Sequence, residues 1–300
     1  MIGDLGTGRL ARALVPALAM LLVAACQPGG PSVLSRQRTQ GSPPIAAATP
    51  ARNTTPRHVF TIVLENTSYR LAVAQPYISS LISQYGVATN YHDFGNPSLP
   101  NYLAMTSGST WNVRDDGWHE LPPTGLGKQL TDARISWKGY FEGFTGDCFN
   151  SPYPYALKHN PFPYYGGQCP DNIVSMTELE SDLNGNTPML SWITPGLCND
   201  GHDCGVGQAD QWLSQAVPQI TGSSAWQEDG VLFITWDESS AGDGQVALLV
   251  VAPNFKGEIS TQLDHYSLLA SMEDLLGVAR LGQAKQAASL AGQLKKPVRR

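Results

Sequence analysis

The sequence predicts an α/β fold in which a mostly parallel sheet carries helices on both faces. Two observations lead to it: apolar, β-branched runs recur along the chain, and stretches with the 3.6-residue helical period lie between several of them. The first run, His58 to Leu64, is almost continuously apolar, as a strand buried on both faces must be. Ile78, Leu81, Ile82 and Tyr85 follow at helical spacing, and Gly86 is expected to stop that helix. Further strands are expected at Ile135 to Phe141, Met189 to Thr194, Val231 to Trp236 and Val246 to Ala252. A last helix, from about Asp264 to Leu276, buries Leu268, Leu269, Met272, Leu275 and Leu276 and ends at Gly277. No internal repeat and no second linker divides this region, so residues 57 to 300 are read as one folded domain.

Composition narrows the class. The chain has 300 residues, 42% of them apolar and 15% charged, which is enough apolar surface to exclude a disordered chain. A formal charge of −6, from 19 Lys+Arg against 25 Asp+Glu, excludes the basic face that general nucleic-acid binding needs. The 30 Gly and 22 Pro follow no period, so collagen-like and simple low-complexity chains are excluded too.

The N-terminus reads as a targeting segment. Arg9 and Arg12 precede an apolar run, Leu14 to Ala25, that is too short to span a bilayer, so residues 1 to 25 are expected to be a secretory signal peptide. Its end, Val23-Ala24-Ala25-Cys26, resembles the bacterial lipoprotein cleavage box, in which the cysteine becomes the lipidated first residue of the mature chain. Ordinary cleavage that leaves a spare thiol is the alternative. Six prolines between Gln27 and Pro56 make residues 26 to 56 an extended tether. The expectation is an exported lipoprotein held to the membrane and facing away from the cytoplasm.

Four of the five cysteines remain after Cys26 is set aside, and an even number in an exported chain reads as two disulfides. Cys198 and Cys204 enclose five residues, so a local bridge is the simplest choice and leaves Cys148 for Cys169. His202 between the last two cysteines keeps a zinc site as the competing reading, although the spacing matches no common zinc pattern.

In open α/β sheets the ligand lies beyond the carboxyl ends of the strands. Here the first strand exits into Glu65-Asn66 and the Val231 to Trp236 strand into Asp237-Glu238, four oxygen donors suited to a hard cation. Ser98 sits in a Pro-Ser-Leu-Pro loop that opens a helix, where free N–H groups favour a phosphate or a developing alkoxide. A nearby cation would make that hydroxyl a nucleophile. His159, His202 and His265 each lie beside polar or acidic residues, and none has the spacing of a zinc protease. A Ser-His-Asp triad of Ser98, Asp237 and His265 is the weaker arrangement, because no Gly-x-Ser-x-Gly elbow surrounds Ser98.

Six ordered motifs now stand together: Val63-Leu64-Glu65-Asn66, Pro97-Ser98-Leu99-Pro100-Asn101-Tyr102, Tyr155-Ala156-Leu157-Lys158-His159-Asn160-Pro161-Phe162, Cys198-Asn199-Asp200-Gly201-His202-Asp203-Cys204, Thr235-Trp236-Asp237-Glu238 and Asp264-His265-Tyr266-Ser267-Leu268-Leu269. From about Arg57 to Val278 they resemble the phosphoesterase family of secreted acid phosphatases and phospholipase C-like enzymes, related to the alkaline phosphatase superfamily. The resemblance implies a three-layer α/β/α sandwich and hydrolysis of phosphate esters through a metal-activated hydroxyl. It also supports the bridge between Cys198 and Cys204. By position it makes Glu65, Asn66, Asp237 and Glu238 the ligands of a divalent metal ion and Ser98 the nucleophile. His159, His202 and His265 would hold phosphate oxygens or protonate the leaving group. Asp200 and Asp203 would orient them and, with Asn101, help bind the substrate. One position departs from the family pattern: members commonly carry His before the Pro-Ser, where this chain has Asn96.

The sequence thus predicts a phosphomonoesterase of the acid phosphatase kind, a monomer acting on a small phosphate ester or a phospholipid headgroup. A phospholipase C-like phosphodiesterase is the alternative within the class, and a non-catalytic ligand-binding lipoprotein the alternative outside it.

Overall fold

The computed structural model describes residues 57–294. The signal peptide, Cys26, the tether and residues 295–300 lie outside the described residues. The chain runs from β1 (Val59–Leu64) through α1 (Tyr69–Val73) and α2 (Pro76–Gln84) to β2 (Gly86–His92), then α3 (Ser98–Ser107), α4 (Gly125–Asp132) and β3 (Trp137–Phe141). After β4 (Ile173–Ser175), α5 (Leu179–Leu183) and β5 (Leu190–Thr194) come α6 (Val206–Gly222), α7 (Ser224–Asp229), β6 (Val231–Trp236) and β7 (Gln245–Val251). Two short strands, β8 (Gly257–Ile259) and β9 (Leu263–Asp264), lead into α8 (His265–Leu276).

The nine strands form one sheet in the order β4-β3-β5-β1-β6-β7-β2-β8, with β9 also paired to β2. Every pairing is parallel except those of β7 with β6 and with β2. Every residue of β1, β5 and β6 is buried, which requires cover on both faces and explains their unbroken apolar runs. The register then decides where the chemistry collects. Leu64 lies opposite Trp236, so β1 and β6 end side by side and their acidic exits emerge at one edge. β5 flanks β1 in parallel with Ile193 opposite Ile62, which delivers the Cys198 to Cys204 loop to the same edge.

The α8 boundaries follow from its ends. Asp264 caps the helix by accepting the Ser267 N–H at 2.9 Å, and the Ser267 hydroxyl accepts the Asp264 N–H in return, a reciprocal cap worth about 1 kcal/mol. Gly277 closes it in the left-handed region at φ 73°.

Gly86 does not stop α2 as the sequence suggests; the helix ends at Gln84 and Gly86 opens β2. Its φ is not left-handed. The constraint is space: a Cβ there would meet the Phe255 ring at 2.2 Å and the Gly257 carbonyl at 2.8 Å. Strand β2 itself escaped the pattern because Val-Ala-Thr-Asn-Tyr-His has no continuous apolar run. Cys148 is bonded to Cys169 and Cys198 to Cys204, the pairing read from the spacing. Among the described residues, no helix is long and apolar enough to cross a membrane.

Candidate active site

At the carboxyl edge of the sheet, backbone hydrogen bonds continue the ladder past the strands. The Asp237 N–H donates to the Leu64 carbonyl at 3.0 Å and the Glu65 N–H to the Asp200 carbonyl at 2.9 Å. Asn66 turns the chain in the left-handed region at φ 48°, a conformation asparagine tolerates better than most residues. Its N–H and that of Glu238 both donate to Asp237 Oδ1, at 3.3 and 2.7 Å. Glu65 and Asp237 are fully buried.

Helix α3 delivers the hydroxyl to this edge. Ser98 is its first residue, and the Ser98 Oγ donates to Glu65 Oε2 at 3.0 Å. One turn on, the buried Tyr102 hydroxyl donates to Glu65 Oε1 at 2.7 Å, so Ser98 and Tyr102 grip both oxygens of one carboxylate from the same helix face. The N–H of Leu99 donates to Asp116 Oδ1 at 3.0 Å. Asp116 Oδ2 accepts from Lys158 Nζ at 2.9 Å, and that Nζ lies 3.2 Å from His202 Nε2.

The imidazoles come from two loops. His159 is buried, stacks on Tyr102 with ring centroids 5.4 Å apart, and lies 3.2 Å from both Glu65 Oε1 and Asp200 Oδ2. His202 is partly open to solvent; its N–H donates to Asp200 Oδ1 at 2.8 Å and its Nδ1 lies 2.8 Å from Asp203 Oδ1. The Cys198–Cys204 bridge closes the loop that carries Asp200, His202 and Asp203.

Burial and mutual repulsion shape the electrostatics. Burial, then Asp237 and Asp200, push Glu65 well above the usual carboxylate range. Burial is also the first cause that raises Asp237 to about 7, against the N–H groups of Asn66 and Glu238, and Asp200 to about 7. Glu238 rises to about 8 through burial and then the charge of Asp237. His159 is pushed well down by burial and then by Lys158, which favours the neutral imidazole that a metal requires. Among the described residues, Asp237 Oδ2 and Glu238 Oε2 have no hydrogen-bond partner of good geometry. Four crowded, buried carboxylates, two of them with an orphaned oxygen, are costly alone and suit a cation. Glu65, His159 and His202 offer donor atoms that all lie within 4.8 Å of one another.

The structure therefore gathers Glu65, Asn66, Ser98, His159, Asp200, His202, Asp203, Asp237 and Glu238 around one sheet edge. The donor cluster around Glu65 is imidazole-based, whereas the sequence reading placed four oxygen donors there; the two sets share Glu65. His265 and Asn101 fall outside the expected roles. The buried His265 ring has Nε2 2.6 Å from the Asp237 carbonyl oxygen and Nδ1 2.7 Å from the Tyr91 hydroxyl. Because a carbonyl only accepts, Nε2 carries the proton and Tyr91 donates to Nδ1, which leaves neither nitrogen for a leaving group. Asn101 spends its side chain on the preceding loop, accepting the Phe94 N–H at 2.9 Å and donating to the Gly95 and Pro97 carbonyls at 2.7 and 3.2 Å. Asn96 donates to Glu238 Oε1 at 2.6 Å. The sequence reading gave no role to Asp116, Lys158 or Tyr102; the last two stand inside its motifs, while Asp116 carries no local signal.

The Phosphoesterase family model matches residues 67–279. A probable acid phosphatase of Kluyveromyces lactis is 30% identical over 76% of this chain and 60% of its own length. An acid phosphatase of Aspergillus fumigatus is 28% identical over 75% of this chain and 56% of its own, so the chain spans somewhat under two thirds of these fungal relatives. A phosphatidylinositol-3-phosphatase of Mycobacterium tuberculosis is 26% identical over 77% of this chain and 80% of its own. Among solved structures, an alkaline phosphatase superfamily protein of Vibrio parahaemolyticus aligns over 84% of this chain and 72% of its own, with TM-score 0.60 and 13% identity. The periplasmic domain of an Escherichia coli protein, solved in complex with zinc, aligns over 84% of this chain and 92% of its own, with TM-score 0.53 and 11% identity. At such identities the structural likeness establishes the fold alone.

Proposed function

The chain belongs to the Phosphoesterase family, and from that premise we propose that it hydrolyses phosphate monoesters with Ser98 as the nucleophile. The observation that carries the reading is the hydrogen bond from Ser98 Oγ to Glu65 at the first turn of a helix, inside a cluster of buried carboxylates. Family relatives described as acid phosphatases support the substrate class.

Glu65 with the imidazoles of His159 and His202, and Asp237, Glu238 and Asn66 at the same sheet edge, would supply the donors for a divalent cation. When bound, such an ion supplies positive charge that lowers the pKa of a neighbouring hydroxyl and offsets the charge of the phosphate. The remaining work falls to the chain. Ser98 Oγ, whose proton already points at Glu65 Oε2, forms a bond to phosphorus as the ester oxygen departs in line. The N-terminal end of α3 favours the charge on the phosphate oxygens. The leaving oxygen takes a proton from solvent, to which the His202 side of the site is partly open, while Lys158 and Asp203 hold that imidazole in place. Water then hydrolyses the phosphoserine. His265 holds the Asp237 backbone and acts as a positioning residue.

A phosphorylated lipid headgroup is a second substrate reading, favoured by the relative described as a phosphatidylinositol-3-phosphatase and by the expected lipid anchor at Cys26. An exported, membrane-held monomer is the setting we propose. The test is phosphate release by the full chain from p-nitrophenyl phosphate and from a phosphorylated inositol lipid, with and without EDTA. Release from either ester that EDTA abolishes and added divalent metal restores is expected. Absence of release from both at every metal tested overturns the proposal.

A further inference from the structure

We propose that Lys158, held in place by Asp116, is a substrate-binding cation that makes the site select the doubly charged monoester over the singly charged diester. The inference rests on the phosphoesterase reading above and deepens it. A three-link chain of contacts carries it. Leu99, the residue after the nucleophile, gives its N–H to Asp116 Oδ1 at 3.0 Å; Asp116 Oδ2 takes Lys158 Nζ at 2.9 Å; and Nζ reaches His202 Nε2 at 3.2 Å. The ammonium is thereby tied on one side to the backbone beside Ser98 and on the other to the His202 imidazole, which accepts from it. It is half-buried, so it is both positioned and reachable.

The charges around Lys158 favour this role. The negative groups acting on it are Asp116, Glu65 and Asp237, and the imidazoles of His159 and His202 lie beside it. Without a cation, that wall of carboxylates would repel a phosphate dianion more than a monoanion. A fixed ammonium next to the helix start reverses the bias, since its attraction grows with the charge on the substrate. A phosphate monoester carries close to two negative charges at pH 7, because its second pKa is about 6; a diester carries one. Asp116 touches no substrate in this scheme. It is a positioning residue that fixes the ammonium relative to the nucleophile.

A purely structural role for Lys158, neutralising its carboxylate neighbours, would weaken turnover of both ester types alike. The experiment compares kcat/KM for p-nitrophenyl phosphate and bis(p-nitrophenyl) phosphate at pH 7 in the full chain, with thermal unfolding measured alongside. Lys158→Met is expected to lower the monoester value about 10- to 100-fold, the scale of a charge-assisted hydrogen bond, and the diester value less than about 5-fold. Inhibition by inorganic phosphate should weaken about tenfold with it. Lys158→Arg should keep the monoester-to-diester ratio within about threefold of the parent. Asp116→Asn retains an acceptor for the Leu99 N–H and loses the ionic hold, so it should shift the ratio in the same direction by a smaller factor; it decides the matter if Lys158→Met does not fold. Equal losses on the two esters, or no loss, overturn the inference while leaving the function intact. Absence of parental activity on both esters overturns the function, and the inference falls with it.

Discussion

Glu273 sits fully buried on α8, with Oε1 accepting the Leu281 N–H at 2.8 Å and Oε2 without a hydrogen-bond partner among the described residues. Burial is the first cause that raises its pKa from 4.5 to about 9, and the charge of Asp274 adds to it. A carboxyl whose folded pKa lies above its unfolded value stabilises the fold least at high pH. The protein is favoured below about pH 4.5 and loses stability as pH rises toward 9. At pH 7 the loss amounts to about 3 kcal/mol, because the unfolded chain ionises freely there and the folded one must take up a proton. Glu273→Gln keeps an acceptor oxygen for Leu281 and removes the titration. The variant should be more stable by about 3 kcal/mol at pH 7, or about 6–12 °C in Tm, with a difference below about 0.5 kcal/mol at pH 4.5. Urea unfolding of the oxidised protein at the two pH values measures it. An equal difference at both, or a variant less stable at pH 7, would refute the reasoning.

Other perturbations separate the parts of the site. Asp237→Asn should lower bound divalent metal, measured by elemental analysis after dialysis, together with turnover, because an anionic oxygen of the cluster is lost. Replacing Cys198 and Cys204 together by Ala removes a loop closure worth about 2 kcal/mol, yet should reduce kcat more than that loss implies, since Asp200 and His202 ride on the loop. Gly86→Ala drives a Cβ into the Phe255 ring and should cost about 1–3 kcal/mol in urea unfolding with activity unchanged at low temperature. Cys26→Ser should move the protein from the membrane fraction to the soluble one; unchanged partition would remove the lipid anchor from the account.

What could be read from the sequence followed the range over which each signal acts. The strands buried on both faces announce themselves as apolar runs, so β1 and β6, and with them the acidic exits Glu65-Asn66 and Asp237-Glu238, were legible. Their convergence needed the register, in which Leu64 faces Trp236. Strand β2 was hidden because only its first three residues are uniformly buried. Ser98 was legible as a helix start. Its joint grip with Tyr102 on Glu65 was half legible, since the Ser98 to Tyr102 spacing is local and the carboxylate is not. Asp116 was invisible: it lies 17 positions from its Leu99 partner, in a loop with no motif. His265 illustrates the opposite error. Its acidic neighbour suggested catalysis, but Asp264 caps α8 while the ring is consumed by Tyr91 and the Asp237 carbonyl, contacts that only the fold creates.

The central claim is that Ser98 becomes covalently phosphorylated during turnover. Acid quenching of the full chain during hydrolysis of a phosphate monoester, followed by peptide mass mapping, tests it most directly. The account predicts an acid-stable phosphate on the peptide that carries Ser98, absent from Ser98→Ala, whose steady-state phosphate release should fall by at least about 10³-fold with metal content retained. Near-parental turnover in Ser98→Ala, or phosphate trapped on another residue while Ser98 stays unmodified, would contradict it.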